Sequence, residues 1–475
     1  MAAPMNATLD VLVIGGGISG LATAWWLQGR GHDVALIEAA QRPGGTIGSV
    51  RRDGCLIETG PNSTLETTPL IGQLLEEVRI AGERIYANPR ATNRFVLRSG
   101  RMIPLPLSPP AFLATPLFSW RAKFALAREP FVAPAAADAE ETVAEFVVRR
   151  LGTEFLDYAI NPFVAGVYAG DPAHLSVRAA FPRLFELEQQ YGGLIRGQIL
   201  GARERRRKRE KSRQAAPMLS FRDGMQTLTD AIARRLKRLE LNTAAGTLAR
   251  HDGTGWIVTA DTPGGAIEYH ARAVIVAAPA DSAARLVRPL APAAADALDS
   301  IPYPPVAAAV AAYDRAEIRH ALDGFGFLVP AKEHRRILGT IFSSTLFENR
   351  APDGIALLST FVGGMRQPGL ALGDEEAITG LVQEELADIL GAPRRARWVH
   401  VTHWRRAIPQ YTLGHLERIA KVEAAERELP GLFFCANYRG GISVADCIRS
   451  GFAMADRVAA ALDARHPAAA ARPTG

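Results

Sequence analysis

The stretch that decides the fold is DVLVIGGGISGLATAWWLQGRGHDVALIE, Asp10 to Glu38. Asp10 to Ile14 is a short run rich in β-branched residues, which reads as a buried strand. Gly15, Gly17 and Gly20 follow at GxGxxG spacing. A helix through Ala24 and Leu27 is stopped by Gly31, and Val34 to Ile37 returns to the sheet, closing on the acid Glu38. Each position has a physical task. Gly15 permits the tight turn, Gly17 lets backbone approach a pyrophosphate, and Gly20 lets helix and strand pack closely. The amides of Ile18, Ser19 and Gly20 open the helix and face the phosphates with its positive dipole end. Glu38, followed by Ala39, accepts hydrogen bonds from ribose hydroxyls. The spacing alone is weak; strand, turn, helix, strand and acid together predict a dinucleotide site.

Two further segments extend it. AAQRPGGTIGSV brings Arg42, Gly44, Gly45 and Thr46, and GCLIETGPNSTL brings Gly60, Pro61 and Asn62. NAD enzymes have no need of this second glycine-rich loop, whereas an extended FAD crosses one. Near the other end, LPGLFFCANYRGGISVADCIRSGFAMADRVAAAL reads as a strand (Leu432 to Ala436), a glycine turn and a helix. Gly441, Ile442, Ser443 and Val444 are placed to run past a flat flavin ring, with the helix dipole toward it. A plain βα unit closing the sheet is the alternative reading of the same residues.

These three segments, in this order, resemble the FAD-dependent amine oxidase superfamily. ATNRFVLRSGRMIPLP (Ala91 to Pro106), NPFVAGVYAGDPAHLSVRAAFPRL (Asn161 to Leu184), GFGFLVP (Gly324 to Pro330), LGTIFSSTLFENRAP (Leu338 to Pro352), TFVGGMR (Thr360 to Arg366) and NYRGGISVADCIRSG narrow the resemblance to the protoporphyrinogen oxidase family. It spans roughly residues 8 to 465 and departs from the family in the insert RERRRKREKSRQ and the alanine-rich tail.

The resemblance implies an α/β fold, α+β overall. A Rossmann-type FAD domain is expected from 5–90, 214–300 and 402–465, and a mainly helical, membrane-associating domain over 91–213. An antiparallel-sheet substrate domain is expected over 301–401, with a disordered tail at 466–475. It implies FAD held non-covalently, with Ala245 and Trp404 joining the residues above as cofactor contacts. It further implies that Arg94 pairs with a propionate, that Leu328, Ile341 and Phe361 sandwich pyrrole rings, and that Asn62 and Gly166 lie near the same cavity. Read from the residues alone, Leu328 and Ile341 are core, Phe361 is equally a strand-end plug, and Arg94 a surface cation beside Arg98 and Arg101.

The implied reaction is oxidation of protoporphyrinogen IX to protoporphyrin IX in three flavin-mediated two-electron steps. Hydride leaves a meso carbon for flavin N5, oxygen is the acceptor, and hydrogen peroxide forms. No catalytic side chain is required, because aromatisation drives the loss. A coproporphyrinogen III oxidase is the nearer alternative and would want more cations around its pocket. A carotenoid desaturase or polyamine oxidase is more distant, and a non-enzymatic flavoprotein is the alternative of another class. Expected partners are the porphyrinogen, oxygen, a membrane surface, a second copy in a homodimer and a ferrochelatase receiving product.

Composition agrees. At 475 residues, 48% hydrophobic and 22% charged, the chain can fill two or three cores. Cys55, Cys435 and Cys447 form no CxxC and no metal spacing, which argues for packing roles in a reducing compartment. No P-loop, Ser/His/Asp motif or His/Cys cluster appears, so no metal is expected, and MAAPMNATLD carries no secretory signal. The net charge of +6 is concentrated between Arg203 and Arg213, where eight residues are Lys or Arg. Without interleaved aromatics this block does not read as a nucleic-acid module. Beside it, Met102 to Ala137 is apolar, aromatic and broken by prolines, too short in any run to span a bilayer. The two together predict peripheral attachment to the cytoplasmic face of the inner membrane; a helical domain packed on its own core is the alternative.

Overall fold

The computed structural model describes residues 8–136, 138–200, 216–251 and 255–464. The basic block 203–213, the tail 466–475 and the predicted domain start at 5–7 lie outside the described residues.

The first strand, Leu9–Ile14, runs parallel to Val34–Ile37 on one side and to the end of Gly265–Val276 on the other. Leu239–Glu240 extends this parallel sheet beyond Val34–Ile37, and Leu432–Phe434 pairs with Val274 to Val276. The sheet is thus assembled from four distant stretches of chain. The first half of Gly265–Val276 turns outward to meet Gly255–Thr262 and Ala244–His251 in an antiparallel meander. Both faces of the parallel part are covered, which is why its strands read as unbroken apolar runs. Val11 and Val13 point into a core shared with helices Ile18–Gly29 and Val444–Ala464, while Leu12 and Ile14 point into the opposite one.

A second seven-stranded sheet runs Trp398–Trp404, Val306–Asp314, Ile355–Gly363, Ile337–Phe342, Gly324–Leu328, Asn93–Arg98, Arg101–Pro104. Its period-two alternation sorts residues by task. Ala307, Ala309, Ala311 and Tyr313 pack into a core with Ile378, Val382, Leu386 and Leu390 of helix Glu375–Leu390. That helix begins where the Asp374 carboxylate accepts from the Ala377 amide at 2.8 Å. The other face carries Val306 and Ala308 toward a cavity and Val310 and Ala312 against Cys55 and Ile57.

Two boundaries differ from the sequence reading. Asn93–Arg98 and Arg101–Pro104, expected to open the helical domain, are the last two strands of the second sheet. Asn93–Arg98 pairs in parallel with Gly324–Leu328, far along the chain, and its alternation serves two cores: Phe95 and Leu97 face the sheet core while Val96 faces the helices. Residues 402–404, expected in the FAD domain, end the edge strand Trp398–Trp404. Helix Gln226–Ala233 stops short of Leu236 and Leu239, and Leu239 lies in a strand, yet both leucines pack on the same core as the helix.

The helical segment sits beside this sheet. Helix Val143–Leu151 starts with a reciprocal cap, Thr142 Oγ1 accepting from the Glu145 amide and Glu145 accepting from Thr142. It carries Arg150, fully buried, to Glu129 Oε1 at 2.7 Å and Glu188 Oε1 at 2.5 Å.

Candidate functional site

At the first turn, two glycines answer to the chain itself. Gly15 has φ +112°, and a Cβ there would sit 2.8 Å from the Ala277 carbonyl oxygen. A Cβ on Gly20 would collide with the Gly15 carbonyl. Gly17 differs: its φ of −68° suits any residue, and a Cβ there meets no atom of the chain within 4 Å. No side chain caps the helix that starts at this point, because the capping position is Gly17 itself. An open cradle at uncapped helix amides fits the pyrophosphate of a dinucleotide.

The neighbouring residues shape that cradle. Glu38 accepts from the Gly16 amide at 2.6 Å and from the Ala40 amide at 2.8 Å, with exposed Ala39 between. The Gly44 amide donates to the Gly16 carbonyl at 2.8 Å, bringing the second loop against the first, and Gly45 lies beside Gly17. Arg42 donates to the Ile47 and Gly45 carbonyls at 2.7 and 3.0 Å, so its guanidinium ties the loop together. Ile18 is buried, and Ser19 is buried with its side chain turned to Cys447; of these two, only the backbone amides are available to a ligand. Ala245 is half-buried on the meander, two residues beyond Thr243, whose amide donates to the Glu38 carbonyl.

The second loop continues into a cavity of about 540 Å³. Thr46, Gly60, Pro61 and Asn62 form one wall, Ile341, Phe361 and Trp404 another, Gly166 a third, and Ile442, Ser443 and Val444 the fourth. Gly60 is pressed on the Thr46 carbonyl, and the Trp404 indole donates to the Thr59 carbonyl at 2.7 Å, pinning the sheet edge to the loop. Asn62 donates to the Gly60 carbonyl at 3.3 Å. Gly441 precedes the fourth wall, its amide donating to the Tyr411 hydroxyl. Leu328 stands one layer back, filling the space that a side chain on Gly166 would take. Arg94 is exposed and outside the lining; its guanidinium lies 5.7 Å from the Phe325 ring, and Phe325 packs with Ile341.

Sequence reasoning missed Thr64, Asn437 and Asp446, which also line the cavity. The Thr64 hydroxyl is buried and without a partner. Asp446 accepts from Ser443 Oγ at 2.7 Å and from Arg449 at 2.6 Å, closing the start of helix Val444–Ala464. It is the one charged residue among the described lining residues, which include no Lys, Arg or His. Among the described residues, no cluster of three or more His, Cys, Asp or Glu could hold a metal ion. Such a cavity positions and desolvates a ligand; the chemistry belongs to a cofactor.

Residues 18–459 match the flavin containing amine oxidoreductase family. The chain belongs to it. Among curated relatives, it is 35% identical to the chloroplastic protoporphyrinogen oxidase of Nicotiana tabacum over 474 residues, covering 95% of this chain and 86% of the relative. It is 28% identical to the coproporphyrinogen III oxidase of Bacillus subtilis over 460 residues, covering 93% and 96%. Among solved structures, a protein assigned as a protoporphyrinogen oxidase from Exiguobacterium sp. 255-15 superposes with a TM-score of 0.80 at 24% identity, over 95% of this chain and 99% of that one. Cyclohexylamine oxidase from Brevibacterium oxydans shares the fold at a TM-score of 0.67 and 18% identity, over 96% and 100%. As a family member the protein is an FAD-dependent oxidoreductase. The Gly17 cradle and the amides of helix Ile18–Gly29 would hold the pyrophosphate and Glu38 a ribose, while the Gly441 to Val444 turn would border the ring.

Proposed function

We infer that this protein oxidises protoporphyrinogen IX to protoporphyrin IX with oxygen as acceptor, a step of heme and porphyrin biosynthesis. Bound FAD supplies hydride abstraction and electron transfer to oxygen. The chain's own residues bind the macrocycle, orient one meso carbon and exclude water. The carrying observation is the electrostatics of the cavity: apolar walls from Ile341, Phe361 and Ala308, with no cation among the described lining residues. Protoporphyrinogen replaces two of the four propionates of coproporphyrinogen with vinyl groups. A wall without cations disfavours burying a tetra-acid, since each unpaired carboxylate forfeits its hydration. Arg94, exposed beside Phe325 and outside the lining, is the propionate partner in this reading, and Phe361 the ring that stacks on a pyrrole. Offering each porphyrinogen in turn and following porphyrin fluorescence tests it. A higher kcat/KM for coproporphyrinogen would reverse the assignment.

We also propose that the helical segment rests on a bilayer at its cytoplasmic face. Leu107, Leu113, Trp120, Phe124 and Phe131 are each more than half exposed, with Arg121 and Arg128 close by. Lys123 turns inward instead, donating to the Leu113 and Thr115 carbonyls and holding helix Pro109–Ala114 in place. Among the described residues no helix is long and apolar enough to cross a membrane, so attachment would be peripheral. Flotation with anionic and neutral liposomes tests this; equal recovery in the soluble fraction with and without lipid, at low salt, counts against it. A homodimer and direct hand-over of product to a ferrochelatase belong to the same reading, and sedimentation of the protein alone and with a ferrochelatase would test both.

A further inference from the structure

The segment Gln410 to His415 contributes no residue to the lining of the cavity described above. It joins three bodies of the molecule. The Gln410 amide donates to the Pro302 carbonyl, ahead of the second sheet, and its side chain, fully buried, donates to the Tyr168 carbonyl at 2.8 Å. Tyr168 ends helix Asn161–Tyr168, whose Gly166 lines the cavity. The Tyr411 carbonyl accepts from the Ser176 amide, tying the segment to the helical region again.

On its other side the segment grips the turn that leads into Ile442. The Tyr411 hydroxyl donates to the Asn437 carbonyl at 2.7 Å and accepts from the Gly441 amide at 3.1 Å, so one oxygen bridges both ends of the turn. Burial keeps this phenol protonated far above its ordinary range, which preserves the donor. The His415 ring lies flat on the Tyr411 ring, 4.1 Å between centroids and 11° between planes, and its Nε2 pairs with the Tyr438 carbonyl at 3.0 Å. Tyr411 and His415 together hold carbonyls 437 and 438 and amide 441, all within one turn. Asn437 and Ile442 themselves line the cavity.

We propose that Tyr411 is a positioning residue: its hydroxyl, steadied by the stacked His415, fixes the Asn437 to Gly441 turn at the distance from helix Asn161–Tyr168 that the flavin ring and substrate require. This rests on the FAD reading of the cavity. Tyr411→Phe removes the bridge while keeping the ring and its stack. In the purified holoenzyme the variant is expected to release FAD at least fivefold faster, followed by flavin fluorescence. The visible circular dichroism of the flavin should change, and kcat should fall more than KM rises. Tyr269→Phe is the control. It loses a hydroxyl bond of a buried tyrosine on the meander, to Glu240 at 2.6 Å, and should lower the melting temperature without altering the flavin spectrum.

A Tyr411→Phe holoenzyme with wild-type release rate and wild-type flavin dichroism overturns the proposal. A wild-type protein that binds no FAD would instead overturn the reading on which it rests. If the variant does not fold, hydrogen exchange in the wild-type holoenzyme decides: a slow Gly441 amide supports the bridge, and one exchanging as freely as a surface turn refutes it.

Discussion

Gly17→Ala separates what the fold needs from what the cofactor needs. The residue sits at φ −68°, ψ 170°, an ordinary extended conformation, and an added Cβ meets nothing of the chain within 4 Å. In the cofactor-free protein two small effects oppose each other. Replacing Gly by Ala at a compatible position stabilises by about 0.4–1 kcal/mol through the unfolded state, and Ala is a poorer N-cap than Gly by a similar amount. The expected net change is within about 1 kcal/mol. With FAD, the methyl group occupies the space into which the pyrophosphate must come. Losing two charge-assisted bonds to the helix amides, at about 1.5–3 kcal/mol each, weakens FAD by roughly 10² to 10⁴-fold. Gly20→Ala behaves oppositely, because its Cβ strikes the Gly15 carbonyl and comes within 3.0 Å of Ala277; overpacking of about 1–3 kcal/mol or more then destabilises the protein with and without cofactor. Flavin absorbance per protein, FAD titration and melting of the cofactor-free forms measure all of this. A Gly17→Ala protein that binds FAD with wild-type affinity would falsify the placement of the pyrophosphate.

Three other outcomes are expected. Arg94→Ala should raise KM for protoporphyrinogen with little change in kcat, whereas Phe361→Ala should lower kcat because it loosens the meso carbon's position; an unchanged KM for Arg94→Ala in steady-state kinetics would mean the propionate is held elsewhere. Arg150→Leu leaves the buried Glu129 and Glu188 carboxylates short of their guanidinium, and should cost about 3–5 kcal/mol in denaturant unfolding; a loss under 1 kcal/mol would show that those carboxyls take up protons instead. Burial pushes the His415 imidazole down from its ordinary 6.5 to about 4. The unfolded chain therefore binds a proton between those values that the folded one does not, so the contribution is complete above pH 6.5 and is lost as pH falls toward 4. The span corresponds to about 3 kcal/mol, and comparing unfolding of wild type and His415→Phe at pH 7 and 4.5 should show a shallower pH dependence in the variant.

The parts of the site that could be read in the sequence are those where a single residue answers a local backbone demand. Gly15, Gly17 and Gly20 are visible because the turn, the cradle and the close packing each exclude a side chain. Phe361 and Ile341 follow from alternation along their strands once a resemblance says which face matters. Thr64, Asn437 and Asp446 carried no such mark; only the meeting of distant segments makes them neighbours. Tyr411 was hidden for the same reason, since its partners Asn437 and Gly441 lie more than twenty residues on. The start of the helical domain was misplaced at residue 91 because Asn93–Arg98 finds its partner in Gly324–Leu328, a parallel pairing that local pattern does not announce. Arg94 illustrates the converse: its motif is clear, yet its guanidinium lies over Phe325 rather than on the cavity wall.

Helix Ile18–Gly29 is covered by helix Val444–Ala464: Gly451 abuts Ala22 and Ser19, the Trp26 and Phe452 rings meet edge to face, and Arg30 pairs with Asp456. This gives the protein a timetable. The cofactor turn leaves the ribosome more than 400 residues ahead of its cover. At synthesis rates of about 5–20 residues per second that interval is roughly 20 to 80 seconds. Throughout it, Leu21, Trp26 and Leu27 lack part of the surface that buries them, and helix Gln226–Ala233, which carries Leu228 and Ile232 of the same core, is the partner that emerges sooner. The cofactor turn therefore gains its full cover only once helix Val444–Ala464 has been made, and the order of synthesis sets the earliest point at which the site can close.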